Sequence, residues 1–100
     1  MLPDFVEIHE RAFPALGFLS SAERAGVTAK FIALRHLPFE EWSREGVRQA
    51  KAPVYTLRVP PKLVVFFSVL PGDRFLIEDF VNKERLETYF SWPQEPVAQT

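Results

Sequence analysis

The chain has 100 residues, of which 47% are apolar and 25% charged, and it carries a formal net charge of −1 and no cysteine. This length and apolar content fit one folded domain, while the missing cysteines exclude a disulfide scaffold and a cysteine-based zinc site. The longest apolar run, Leu63 to Leu70, is far shorter than the roughly 20 residues of a membrane-spanning helix, and the first ten residues lack the regions of a signal peptide. We therefore expect a cytoplasmic domain with no membrane partner, no metal and no cofactor.

The N-terminal part predicts one strand followed by two helices. Residues 5–9 alternate apolar and polar side chains, which is typical of a strand, and residues 11–19 have apolar side chains at helical spacing. Ser20 and Glu23 have the spacing of a capping box, so the second helix should start there and run to Leu37, where Pro38 stops it. The broad apolar face of this second helix is predicted to contain Ala22, Ala25, Ala29, Ile32, Ala33 and His36, with Phe31, Leu34 and Leu37 beside it.

The segment that follows predicts a linker. Residues 38–53 show no sustained period and contain two prolines and a glycine, so we expect a long connecting loop with a helical turn near Glu40 to Arg44. Phe39 and Trp42 in this loop are expected to be exposed, either for contact with a partner or to cover the edge of the sheet.

The C-terminal part predicts an antiparallel meander. Residues 54–59, 62–70 and 74–81 are rich in β-branched and aromatic side chains, and prolines and a glycine lie between them. Residues 83–90 favour a short helix, and residues 91–100 have the composition of a flexible tail. The sequence thus predicts a single α+β domain over residues 1–90 in the order β-α-α-β-β-β, with a helical hairpin packed on an antiparallel sheet and a short C-terminal helix.

Charge is distributed unevenly along the chain. Residues 44–62 contain five basic residues and one acidic residue, a net charge of +4, whereas residues 1–43 and 63–100 carry net charges of −2 and −3. An anionic partner would bind the basic segment, although such a segment can also be a solvated loop. The five basic residues are Arg44, Arg48, Lys51, Arg58 and Lys62.

Several short motifs, taken in order, resemble the RelE/ParE superfamily of toxins from bacterial toxin–antitoxin pairs. Tyr55-Thr56-Leu57-Arg58-Val59 is similar to the family's "Y.LRV" strand, and Lys62 opens the next apolar run where family members carry a basic residue. The helix end Ala33-Leu34-Arg35-His36-Leu37 is similar to the family's "AL..L" pattern, and the run from Asn82 to Tyr89 matches a basic terminus that contains a tyrosine. The resemblance covers roughly residues 5–90 and implies a RelE-like fold.

The resemblance also implies a function and a set of site residues. RelE toxins cleave mRNA on the ribosome without a metal, using the RNA's own 2′-hydroxyl as the attacking group. Carried over by motif, the catalytic residues are Arg58, Lys62, Arg85 and Tyr89, and Lys51 is the nearest match to the Lys-rich loop of ribosome-dependent members. Arg44 and Arg48, which come from the basic segment, complete the predicted RNA-binding residues with Lys51. The implied partners are the ribosome with its mRNA, a cognate antitoxin protein and a second copy of the chain in a homodimer.

Each of these residues has a structural alternative. Arg58 would pair with Glu78 or Asp79 across the meander, Lys62 would be a charged strand end, Arg85 a helix-surface partner, Tyr89 a core aromatic and Lys51 a solvated loop cation. Glu78 and Asp79 are adjacent in a predicted strand, so their carboxylates should lie on opposite faces and act separately. Neither His9 nor His36 has a nucleophile or ligand set near it in sequence, and His36 is predicted to be a core residue.

Two hypotheses about function therefore stay open. The first is a ribosome-associated mRNA endonuclease of the RelE type. The second is a non-enzymatic module on the same fold, either ParE-like or degenerate, that acts through protein contact. The low isoelectric point of about 6.1 and the acidic residues Glu84 and Glu87 near the terminus favour the second hypothesis.

Overall fold

A computed structural model describes residues 2–82 of the chain. The fold is α+β, as predicted. Its helical segments are a 3₁₀ turn Glu10–Ala12 that continues into α1 (Phe13–Leu16), the long helix α2 (Ser21–His36) and a 3₁₀ helix Phe39–Glu45. Its strands are β1 (Val6–Ile8), β2 (Val47–Lys51), β3 (Val54–Val59), β4 (Leu63–Leu70) and β5 (Arg74–Asn82).

The strands form one open mixed sheet in the order β1-β5-β4-β3-β2. The predicted meander β3-β4-β5 is antiparallel, and β2 extends it antiparallel to β3. The prediction that the whole sheet is antiparallel was wrong, because β1, which the helices separate from the other strands along the chain, lies parallel to β5 at the other edge. The predicted linker 38–53 was wrong in one respect, because it contains strand β2. The predicted helical turn within that linker is confirmed by the 3₁₀ helix Phe39–Glu45.

Helix α2 starts as predicted. The Ser20 hydroxyl accepts a hydrogen bond from the Glu23 backbone N–H at 3.0 Å, and the Glu23 carboxylate accepts one from the Ser20 backbone N–H at 2.8 Å. This reciprocal pair satisfies N–H groups that have no partner inside the helix.

The face of α2 that packs on the sheet differs from the predicted face. Val27, Phe31 and Leu34 are buried, whereas Ile32 is 42% exposed and His36 lies at the exposed end of the helix. The larger side chains at this spacing remove more apolar area from water than the alanine-rich face would, so they determine how the helix is rotated. The prediction that His36 is a core residue was therefore wrong.

The core lies between α2 and one face of the sheet, and aromatic rings fill its centre. The Phe31 ring is 5.1 Å from the rings of both Phe67 and Phe75. Trp42 packs against the same two rings, at 6.1 and 5.9 Å, and its indole N–H donates to the Leu37 carbonyl at 3.2 Å. Trp42 is thus buried, which corrects the expectation that it is exposed, whereas Phe39 is 57% exposed.

Helix and sheet approach closely at one point. A Cβ atom at Gly26 of α2 would lie 2.8 Å from Cγ1 of Val59 in β3. Only glycine fits there without a shift of the buried strand. This contact places the end of β3, with Arg58, directly beneath the helix on the far side of the sheet.

Several further expectations fall on residues 83–100. The predicted C-terminal helix and tail, together with Arg85 and Tyr89, lie outside the described residues.

Candidate anion-binding face

The face of the sheet opposite α2, called here the open face, carries the side chains of Arg48 and Arg58. In β3, the buried residues Leu57 and Val59 alternate with Thr56 and Arg58, so Arg58 points away from the core and is exposed. In β2, Arg48 stands directly opposite Thr56 and is exposed too. Arg48 and Arg58 therefore lie diagonally across two neighbouring strands on the same face, a relation that places such positions about 7–8 Å apart.

Gly46 fixes the backbone beside Arg58. Its φ of 90° is left-handed, and its carbonyl accepts a hydrogen bond from the Arg58 N–H at 3.1 Å. A Cβ atom at position 46 would lie 3.3 Å from the Arg58 Cβ and 3.4 Å from the Arg58 carbonyl oxygen. Glycine is required here both by the backbone angle and by the close approach. Gly46 thus follows the last residue of the 3₁₀ helix, directly precedes β2 and positions the backbone of Arg58.

Arg48 and Arg58 keep their charge unopposed. Neither forms an ion pair with any residue between 2 and 82. The alternative in which Arg58 pairs with Glu78 or Asp79 was wrong, because β4 lies between β3 and β5 and Arg58 stands opposite Val64. An exposed guanidinium without a carboxylate partner is available to bind phosphate.

Lys62 lies at the same end of the sheet as Arg58. It precedes β4 in the turn 60–62, and the pairing of Val59 with Leu63 closes that turn. Its side chain is exposed. The prediction that Lys62 opens the strand is off by one residue, since β4 begins at Leu63.

The other two predicted RNA-binding residues have different surroundings. Arg44 lies on the 3₁₀ helix, exposed, and pairs with Glu41 at 3.5 Å, an exposed contact of small energetic value. Lys51 ends β2 after a bulge and lines a shallow groove of about 320 Å³ on the open face together with Val54, Phe66, Glu78 and Asp79. Lys51 therefore shares a groove with two carboxylates, unlike Arg48 and Arg58.

Arg11 is a contributor to this groove that sequence reasoning missed. Its guanidinium donates to the Glu78 carboxylate at 3.0 Å and to the Glu78 carbonyl at 3.3 Å, and the Ser68 hydroxyl donates to the second Glu78 oxygen at 3.0 Å. Arg11 and Glu78 are 67 positions apart, so no local pattern could have joined them.

Glu78 and Asp79 line the same groove, contrary to the prediction of opposite faces. The reason is a bulge in β5: Phe66 pairs with Asp79 but Phe67 pairs with Ile77, which leaves Glu78 as the extra residue. Glu78 is engaged by Arg11 and Ser68, and an Asp79 carboxylate oxygen accepts from the Phe80 N–H at 2.9 Å. Both carboxylates thus have structural partners.

The histidines contribute no site. His9 accepts a hydrogen bond from the Arg11 backbone N–H at 3.1 Å through Nδ1, which caps the 3₁₀ turn. Within residues 2–82 no three His, Asp or Glu side chains lie close enough together to hold a metal ion. No helix in the same range has the length and apolarity needed to cross a bilayer.

Comparisons with protein-family models, with curated proteins and with solved structures found no match to this chain.

Proposed function

We propose that this chain is a RelE-like toxin component that binds mRNA on the open face of its sheet and cleaves it on the ribosome. One observation carries the proposal: Arg48 and Arg58 lie on one face of neighbouring strands, exposed and without an ion pair among the described residues. Two guanidinium groups at this separation can contact one stretch of phosphate backbone, and phosphate contacts supply most of the affinity in sequence-independent binding.

The topology of the described residues is compatible with the resemblance. A strand and two helical segments precede the antiparallel strands β3, β4 and β5, and the first strand returns to pair with the last. In this proposal the fold is the RelE-like β-α-α-β-β-β arrangement, and β2 is an additional edge strand.

The proposed chemistry needs few protein groups. The 2′-oxygen of the RNA attacks the adjacent phosphorus and loses its proton, while the bond from phosphorus to the 5′-oxygen breaks and that oxygen gains a proton. Arg58 stabilises the extra negative charge of the transition state, with Lys62 as a second cation at the same end of the sheet. Arg85 and Tyr89 remain predictions for the further charge and proton-transfer roles.

The proposed partners follow from charge. Ribosomal RNA and mRNA would approach the open face through Arg48 and Lys51, with Arg44 as a further contact from the neighbouring 3₁₀ helix, and a cognate antitoxin would cover this face with an acidic segment. A homodimer stays a prediction.

The test combines expression with RNA analysis. Induced expression should arrest growth and produce mRNA fragments whose ends fall at preferred codons. Arg58→Ala should lower the cleavage rate about 10²–10³-fold, the usual cost of one transition-state donor, with an unchanged melting temperature. Arg35→Ala is the control: it removes a guanidinium from α2, on the other side of the sheet, where it lies 4.2 Å from the Phe5 ring and far from the open face. Equal cleavage by the Arg58→Ala and Arg35→Ala proteins would contradict the assignment.

A non-enzymatic binding module is the second candidate, and exposed aromatic side chains favour it. Phe13 is 54% exposed and Phe18 is 87% exposed, both near the first helix. Growth arrest with intact mRNA would identify inhibition by contact, and no arrest would identify a module that only binds. In either case the nuclease proposal would be wrong.

A further inference from the structure

We propose that the cavity between α1, α2 and the β1–β5 edge of the sheet binds a small amphiphilic carboxylate, a molecule with a medium-length apolar chain and one anionic head. This cavity, called here the hairpin cavity, lies away from the open face. The inference stands whether or not the chain cleaves RNA.

The size and lining of the hairpin cavity define the apolar part of the ligand. Its volume is about 310 Å³, within the range of small-molecule sites. Side chains from four elements and from the segments beside them enclose it. The apolar lining residues are Leu2, Ile8, Phe13, Leu16, Leu19, Val27 and Phe80.

Two polar side chains define the head group. Arg24 and Thr28 lie one turn apart on α2 and both line the cavity, so they stand next to each other on one side of it. Among the described residues that line the cavity, Arg24 and Thr28 are the only polar ones, and none carries a carboxylate. A guanidinium and a hydroxyl together bind a carboxylate, since both donate hydrogen bonds to its oxygens.

Arg24 is held in place for this role. Its Nη2 donates to the Leu16 carbonyl at 3.0 Å, which ties the guanidinium to the end of α1. Arg24 forms no ion pair with another residue in the range 2–82, so its remaining N–H groups have no competing carboxylate there. A group fixed before binding loses less conformational entropy when the ligand arrives.

Charge complementarity selects this ligand over two other occupants. An uncharged apolar molecule would leave Arg24 without a counterion at the rim. A second copy of the chain would have to bring its own Arg24 towards the first, because symmetric interfaces place the same patch on both subunits.

The experiment uses the full chain with decanoate as the probe and decanol as its uncharged analogue. Decanoate should saturate the protein with one molecule per chain in calorimetry. In methyl NMR spectra it should shift the signals of Leu16, Leu19 and Val27, and leave those of Val64 on the open face unchanged. Arg24→Gln should weaken decanoate binding about tenfold or more while the affinity for decanol stays the same. Arg35→Gln is the matched control on the same helix and should change neither affinity.

A second variant covers the possibility that the first one perturbs folding. Thr28→Val keeps the shape of the side chain and removes its hydroxyl, so it should weaken decanoate binding and leave decanol binding unchanged. Equal affinities for decanoate and decanol in the natural protein would overturn the proposal. So would methyl shifts outside the cavity, self-association that depends on Phe13 and Phe18, or tighter capture of an amphipathic helical peptide that displaces decanoate.

Discussion

At the scale of single residues, the surroundings of Arg58 depend partly on its own strand and partly on the order of the strands in the sheet. The side chains of residues 55–59 alternate between the two faces of the sheet, which puts Arg58 on the face opposite the buried Leu57 and Val59. The choice between a free Arg58 and one paired with Glu78 depended on which strands are neighbours, and that information lies outside the local pattern. The bulge that turns Glu78 and Asp79 towards the same groove likewise has no signal in the strand's own alternation.

Gly46 supplies a prediction at this scale. Gly46→Ala should lower the free energy of unfolding by about 1–3 kcal/mol, because alanine must adopt a left-handed backbone angle and its Cβ must crowd Arg58. Chemical denaturation measures this change.

Gly72→Ala is the matched control for Gly46→Ala. Gly72 also has a positive φ, of 81°, but nothing lies within 4 Å of a Cβ built there. Gly46→Ala should therefore destabilise more than Gly72→Ala, and it should also weaken RNA binding because it displaces Arg58. If the two substitutions lower the free energy of unfolding equally, the close contact between the new Cβ atom and Arg58 does not contribute to the loss of stability.

At the scale of elements, the sequence predicted those helix and strand boundaries that depend on intrinsic residue propensity and on helix-capping residues. Helix α2 starts at its capping box, and strands β3, β4 and β5 lie within one residue of their predicted bounds. Strand β2 was missed because Arg48, Gln49, Ala50 and Lys51 have little intrinsic preference for a strand, and the segment becomes one only by pairing with β3. The prediction of which face of α2 packs on the sheet was wrong because it followed the positions of the alanines. A buried Phe31 or Leu34 removes more apolar area from water than an alanine does, so these larger side chains determine the buried face.

The contact between α2 and β3 gives a prediction at this scale. Gly26→Ala should destabilise the protein by about 1–3 kcal/mol, since its Cβ overlaps Cγ1 of the stiff, buried Val59. In a Val59→Ala background, the same change should be neutral or stabilising by about 0.5–1 kcal/mol, because the clash is gone and alanine favours the helix.

Denaturation of the four proteins in this cycle measures the coupling between the two sites. A coupling energy of roughly 1 kcal/mol or more is expected for residues in direct contact. If the changes in the free energy of unfolding caused by the two substitutions are additive, the predicted clash between the Cβ atom at position 26 and Val59 does not destabilise the protein.

At the scale of the whole molecule, folding brings together basic residues that lie ten positions apart in the chain. The chain has a net charge of −1, yet the segment 44–62 carries +4, and folding places Arg48 and Arg58 from that segment on one face. The count of charges was available from the sequence, whereas their arrangement required the pairing of β2 with β3. The hairpin cavity could not be predicted at all, because its lining comes from residues as distant as Leu2 and Phe80.

The central claim is that Arg48 and Arg58 bind phosphate, and the salt dependence of RNA binding tests it most directly. Fluorescence anisotropy of a labelled single-stranded RNA should show a binding constant whose logarithm falls linearly with the logarithm of the salt concentration. Replacing both Arg48 and Arg58 by alanine should reduce the magnitude of this slope by about 1.4, since each lost phosphate contact removes about 0.7 for a single strand. The Arg35→Ala protein should keep the full slope. A slope that is the same in the double variant and in the natural protein would contradict the account.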